Sequence, residues 1–256
     1  MNDTTLDRPA VPPAVRYDLR RADSRGRLRL DWLDARFSFS FGPYRDPARE
    51  RFGPLLALND DRVQPGTGFA MHPHRDLEIM IVPLAGRVEH RDDQGRHGIV
   101  EPGQSQFMRA GRGIRHSQTN PSRHEIDHHL QIWIEPRRRG LEPAVEQRSL
   151  PPAVPGCWRV VADPDGVDGG FRIDQDARVL LGEAGRDAPL SIDVRAGRSL
   201  YLHVAGGDLS VALDGPAHTL QDGDALALFV PPPRLVLRAR AWARVLAFDV
   251  PAVAAP

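Results

Sequence analysis

The sequence predicts an all-β protein built from two barrels in tandem, and three observations carry that prediction. Proline (24 residues) and glycine (23) recur throughout and cut the chain into short segments. Those segments alternate or run apolar, as in Phe37-Ser-Phe-Ser-Phe41, Ile79-Met-Ile-Val82 and Leu130-Gln-Ile-Trp-Ile134, which is the pattern of short strands joined by turns. No segment holds a helical apolar period over three turns, so helices are expected to be short and peripheral.

With 256 residues the chain is long for one small domain and comfortable for two of roughly 100–200 residues each. The first barrel is placed at 1–136. Charge and proline replace the strand pattern from Arg137-Arg-Arg-Gly140 through Pro151-Pro152 and Pro155-Gly156, which places a linker at 137–157 and a second barrel at 158–256. The halves also share turns in register. Leu84-Ala-Gly86 matches Val204-Ala-Gly206, and Val100-Glu-Pro-Gly103 matches Leu220-Gln-Asp-Gly223, each pair 120 residues apart, as in a duplicated unit.

Hydrophobic residues at 41% and charged residues at 27% provide a core for each half and speak against disorder. Arg plus Lys and Asp plus Glu number 34 each, so no net charge draws the chain to nucleic acid or to an anionic membrane. No stretch approaches the ~18 apolar residues of a membrane helix. Cys157, the single cysteine, has no intramolecular disulfide partner, and Met1 to Pro12 lack the basic-then-apolar profile of a secretion signal. A monomer in a reducing cytoplasm is the expectation.

The chemistry concentrates in Gly66-Thr-Gly-Phe-Ala-Met-His72-Pro-His74-Arg-Asp-Leu-Glu78. On an extended strand His72 and His74 point to the same face. A third histidine, His116, follows a glycine turn in Ala110-Gly-Arg-Gly-Ile-Arg-His116-Ser-Gln118, with Gln118 at the same parity. Three neutral imidazoles and an oxygen suit one divalent transition metal: Fe(II), Mn(II), Ni(II), Cu(II) or Zn(II). Such a histidine pair also occurs without a metal, hydrogen-bonded on a sheet. Glycines at 66, 103, 111 and 113, where barrel turns need permissive backbone, weigh toward the ligand reading.

At the repeat offset the three histidines fall on Ile192, Val194 and Val236, so the second barrel is expected to lack the metal site and to be structural or a lid. His90, His97, His124, His203 and His218 read as surface or core histidines. Of His128 and His129, one must share a face with Gln131 and Trp133, a side that could be the pocket.

At these residues the sequence resembles the pirin family of bicupins, which includes bacterial pirin-like quercetin dioxygenases. The likeness rests on Asn59-Asp-Asp-Arg-Val63, Met71-His-Pro-His-Arg-Asp76, Glu89-His-Arg-Asp92, Ala110-Gly-Arg-Gly-Ile-Arg-His-Ser117 and Leu130-Gln-Ile-Trp-Ile-Glu-Pro136. It runs from about Phe37 to Pro136 and more weakly to the C-terminus. The resemblance implies two jelly-roll (cupin) barrels and a metal, usually iron, held by three histidines and one glutamate. Those positions are His72, His74, His116 and Gln118 here.

The glutamine is a departure. Its amide oxygen binds a divalent ion more weakly than a carboxylate, and it cannot accept the 3-hydroxyl proton that a flavonol must lose before its enolate reacts with oxygen. Glu78, four residues past His74, shares the strand face if no bulge intervenes, which makes it a candidate base. The family keeps a glutamate here without ligating through it, so an ion pair with Arg75 or another arginine is the first reading.

The resemblance therefore implies a metal-dependent dioxygenase that opens the ring of a flavonol-like, quercetin-like aromatic. Substrate is expected to enter from the side facing the second domain, since pockets favour domain interfaces. It also admits a different class, a non-enzymatic metal-binding regulator that binds a partner protein, which loss of the basic ligand would suit. Either a small aromatic substrate or a protein is thus the expected partner.

Overall fold

The computed structural model describes residues 14–255; the stretch Met1 to Pro12, where no leader is expected, lies outside the described residues. Turn-forming residues leave only short runs between them, and those runs pair as strands that are nearly all antiparallel. First comes β1 (Arg16–Arg20). The N-terminal half then carries β2 (Gly26–Arg29), β3 (Leu33–Phe37), β4 (Leu55–Val63), β5 (Gly68–His74), β6 (Glu78–Ala85) and β7 (Val88–Asp92). It continues with β8 (His97–Val100), β9 (Gln104–Arg109), β10 (Ile114–Thr119), β11 (Asp127–Ile134) and β12 (Ala144–Ser149).

In the C-terminal half lie β13 (Trp158–Asp163), β14 (Phe171–Arg172), β15 (Arg178–Gly185) and β16 (Leu190–Asp193). They are followed by β17 (Arg198–Val211), β18 (His218–Gln221), β19 (Ala225–Val230) and β20 (Arg234–Pro251). Helix among the described residues is confined to two single 3-10 turns, Ala22–Ser24 and Val167–Gly169, as expected. No helix among them is long and apolar enough to cross a membrane.

The N-terminal half forms a seven-stranded sheet ordered β12-β9-β6-β11-β4-β3-β2 and a four-stranded sheet ordered β5-β10-β7-β8. In the C-terminal half one sheet runs β1-β19-β17-β20-β15-β13-β14, with β16 on β20 and β18 on β17. Strands β17 and β20 span 14 and 18 residues, long enough to turn from one face of the barrel to the other. These are the two jelly-roll barrels of a bicupin.

Two segments cross the halves as drawn from the sequence. The N-terminal β1 pairs with β19 of the second barrel, and Arg21 and the Ala22 amide bond Asp224 beyond it. The stretch 137–157, expected to link the barrels, contains β12, which closes the edge of the first barrel beside β9. A large core cluster then joins the halves, with Phe39, Leu58, Leu130 and Ile132 packing in the same cluster as Tyr201, Leu246 and Phe248.

The repeat suggested by the turns has a structural counterpart. Gln104 N donates to Glu101 O at 2.9 Å, and 120 residues on Asp224 N donates to Gln221 O at 2.9 Å. Between them Gly103 (φ 88°) and Gly223 (φ 82°) take the left-handed conformation that such a turn requires. Where His116 stands opposite His72 in the first barrel, Leu235 stands opposite Ile192 in the second. The equivalent of His116 is therefore Leu235, one residue before the Val236 given by the constant offset. Both Ile192 and Leu235 are buried in the apolar filling of the second barrel.

Candidate metal centre

Edge position explains how the sequence His72-Pro73-His74 can be a strand. β5 borders the four-stranded sheet, so the missing proline N–H breaks no interior ladder, and the two imidazoles flanking it emerge on one face. β10 lies alongside and sets His116 directly opposite His72. The turn into β10 depends on Gly111 (φ 48°), where a Cβ would meet the Leu141 carbonyl oxygen at 1.9 Å.

The three rings converge. Centroids are 4.6 Å apart for His72 and His116, 4.7 Å for His72 and His74, and 4.9 Å for His74 and His116. One ring nitrogen from each lies within 4.8 Å of the others. His72 Nδ1 donates to the Ala70 carbonyl at 2.7 Å, leaving Nε2 as its free lone pair. His116 is buried, its Nδ1 hydrogen-bonded to His90 Nδ1 at 3.3 Å, and its Nε2 has no partner.

A buried polar atom without a partner costs about 1–3 kcal/mol, so the orphaned nitrogen beside two more imidazoles fits the role of a metal ligand. Burial and the neighbouring His74, His72 and His90 rings push His116 down to about 2. Burial and His72 likewise push His74 down to about 4. Both are thus neutral at physiological pH, the ligating form. The donor set fits a divalent transition metal.

His90, which the sequence gives only as a surface or core histidine, is buried and partners His116. It fixes which nitrogen of His116 is free, and its own Nε2 lies 3.7 Å from the buried Asp92 carboxylate. Its signal was present in Glu89-His-Arg-Asp92, because β7 pairs with β10 and sets His90 opposite Gln118 and Asp92 opposite His116.

Gln118 lies buried two residues beyond His116, and its Oε1 accepts a hydrogen bond from Gln131 Nε2 at 3.0 Å. A carbonyl oxygen has two lone pairs, so one remains for a cation. Glu78 is not brought to the histidines. Asp76 (φ 52°) turns the chain after His74, and Glu78 opens β6 in the other sheet. There its carboxylate accepts the Asp174 amide at 2.8 and 3.0 Å and faces Arg109 at 3.4 Å. It clips the first barrel to the second, and burial raises its pKa to about 6 against the pull of the Asp174 amide and Arg109. The arginine pair expected of it is present, with Arg109 and not Arg75 as partner.

Beside His72 and His74 opens a cavity of about 210 Å³, walled by Phe37, Phe41, Phe69 and Trp133. Asn59, Asp61 and Gln131 form its polar side. Every lining residue belongs to the first barrel, so the pocket does not lie at the domain interface as expected. A separate cavity of about 140 Å³ does lie between the halves, at Phe39, Phe52 and Tyr201, away from the imidazoles. His129 shares its face with Gln131 and Trp133 but stands behind the wall, bonded to Asp127. His128 turns to the opposite face and meets Asp60 at 2.8 Å.

Comparison with known proteins agrees with this architecture. The family model "Pirin" matches residues 18–134, and the model "Quercetinase C-terminal cupin domain" matches 160–250. A protein named quercetin 2,3-dioxygenase from Escherichia coli K12 is 38% identical over 235 residues, 92% of this chain and 99% of its own. A putative quercetin 2,3-dioxygenase from Mycobacterium tuberculosis is 34% identical over 227 residues, 86% of this chain and 93% of its own. The solved structure of the E. coli bacterial pirin YhhW in complex with nickel(II) superposes with a TM-score of 0.86 at 36% identity, covering 93% of this chain and 100% of that one. With matched models over both barrels and these relatives along most of its length, the chain belongs to the pirin family of bicupins.

Proposed function

We propose that this protein is a metal-dependent dioxygenase that opens the ring of a flavonol-like, quercetin-like substrate held in the N-terminal barrel. The observation that carries the reading is the adjacency of three imidazoles to a cavity with aromatic walls. Flat walls suit a planar polyphenol, while Asn59, Asp61 and Gln131 give the lining a polar side for its hydroxyls. The names of the E. coli and M. tuberculosis relatives support the same substrate class.

His72, His74 and His116 would hold one divalent transition metal, with the Gln118 amide oxygen as a fourth, neutral donor. The family resemblance favours iron, and the E. coli relative was solved with nickel(II). Such an ion supplies Lewis acidity to a ligated hydroxyl and a meeting point for substrate and dioxygen. The chain's own part is to keep the imidazoles neutral, to hold His116 through His90, and to exclude water with the apolar wall. In that dry setting a charge developing on the substrate interacts strongly with the few polar groups around it.

The test is elemental analysis of protein purified without added metal, beside His72→Ala, followed by oxygen uptake with quercetin. Near-stoichiometric iron, manganese, nickel, copper or zinc, lost in the variant, together with quercetin-dependent oxygen uptake, is the expected result. A fully loaded protein that leaves quercetin and oxygen untouched would overturn the reading.

A further inference from the structure

Removing the enolic proton of a bound flavonol needs a base, and the obvious positions are not available. Residue 118 is an amide, and Glu78 is spent on Asp174 and Arg109. Among the residues lining the cavity one carboxylate remains, that of Asp61. We propose that Asp61 takes the proton from the substrate's hydroxyl in this protein, with His129 and Asp127 as positioning residues behind it. The inference rests on the dioxygenase reading for its substrate.

Strand pairing sets the geometry. Asn59, Asp61 and Val63 alternate on β4, facing Gln131, His129 and Asp127 across the ladder to β11. Asp61 lines the cavity but is only 2% exposed, and its Oδ1 is buried without a hydrogen-bond partner. Its Oδ2 lies 3.9 Å from His129 Nε2. His129 Nδ1 is held by both oxygens of Asp127, at 2.9 and 3.0 Å, so the ring is fixed in plane and orientation. The result is a carboxylate in the cavity lining with one oxygen unpaired and the other within ion-pair distance of an imidazole that Asp127 holds.

The charged groups around Asp61 are His129 and Asp127 on β11, Asp60 on its own strand, and Arg25. Burial raises the Asp61 pKa to about 7, helped by Asp60 and Asp127 and opposed by His129 and Arg25. Burial presses the His129 pKa down, but Asp127, Asp61 and Asp60 outweigh it and the net shift is upward. A base whose pKa lies near the working pH both holds enough of its ionised form and accepts a proton readily. In the step itself the substrate O–H bond breaks and an O–H bond forms on Asp61 Oδ1. The electron pair stays on the substrate oxygen, so one negative charge passes from carboxylate to enolate and nothing is oxidised or reduced.

The experiment compares metal-loaded full-length protein with Asp61→Asn, using quercetin as probe, with metal content measured on both. Turnover per bound metal is read in air, and the absorption of bound quercetin is read without oxygen to tell its neutral from its ionised form. The expected result is a fall in kcat of at least about 100-fold with KM little changed, loss of the acid limb of the pH profile near neutrality, and bound quercetin left neutral. A variant that turns over within a few-fold of wild type, or that binds ionised quercetin, overturns the assignment and leaves the dioxygenase reading intact. If neither protein turns over but only wild type ionises the bound quercetin, the dioxygenase reading fails and Asp61 stands. Absence of any quercetin binding by loaded wild type overturns both.

Discussion

Replacing Asp61 by asparagine should stabilise the protein at alkaline pH, because the native carboxylate is kept ionised there against its surroundings. Its pKa is near 7 in the fold against an ordinary 3.8. Between those values the folded chain holds a proton that the unfolded chain has released, so stability is lost as pH rises through the window and the loss is complete above about pH 7. At about 1.4 kcal/mol per pH unit, the span from 3.8 to about 7 amounts to about 4 kcal/mol. Asparagine matches the shape of the protonated acid and carries none of this penalty, while Asp127 continues to hold His129. Urea unfolding midpoints of the two proteins, followed from about pH 4 to about pH 9, supply a difference curve in which titrations not coupled to Asp61 cancel. The curves should nearly coincide at the acid end and separate through neutrality in favour of the variant. A variant less stable than wild type at about pH 8, or a difference that ignores pH, would refute the placement of Asp61 as a buried and reluctant anion.

Two other perturbations separate the roles assigned above. Gln118→Glu should raise metal affinity at least about tenfold in competition with a chelator, since a carboxylate is the stronger donor and can still accept the Gln131 hydrogen bond; unchanged affinity would place residue 118 outside the donor set. Glu78→Ala should lower stability by about 3 kcal/mol, because the Asp174 amide and Arg109 lose a buried charged partner, yet leave metal content per chain unaltered. Loss of metal from that variant would return Glu78 to the site.

The histidine site was legible because its information is local. Two imidazoles on one strand face, a glycine turn and a third imidazole survive translation into structure whenever the strands are read at the right parity. For Glu78 the same rule offers a base, and the turn at Asp76 removes that option by moving the chain to another sheet, while the arginine pair given as its first reading is present. Asp61 was hidden for a different reason. Asn59-Asp60-Asp61 has poor strand propensity, but pairing with β3 and β11 buries it, so that Asp60 meets Arg25 while Asp61 lines the cavity. Only the long-range register reveals that split. The location of the pocket was likewise not local knowledge, because it depends on how the first barrel leaves space between its own sheets.

The pairing of β1 with β19 has a bearing on how the molecule is made. During synthesis Arg16–Arg20 emerges ahead of every other described strand, while Ala225–Val230, on which it docks, is among the last. The second sheet therefore cannot acquire this edge until Val230 has left the ribosome, and β1 waits for this partner in the meantime. All three histidines and the cavity walls, by contrast, have been translated once Ile134 is out. A chain stalled between the two barrels would already carry every imidazole donor for the ion while still exposing the apolar face that Leu246 and Phe248 later cover. The interval between those events is when exposed apolar surface leaves this protein most open to aggregating.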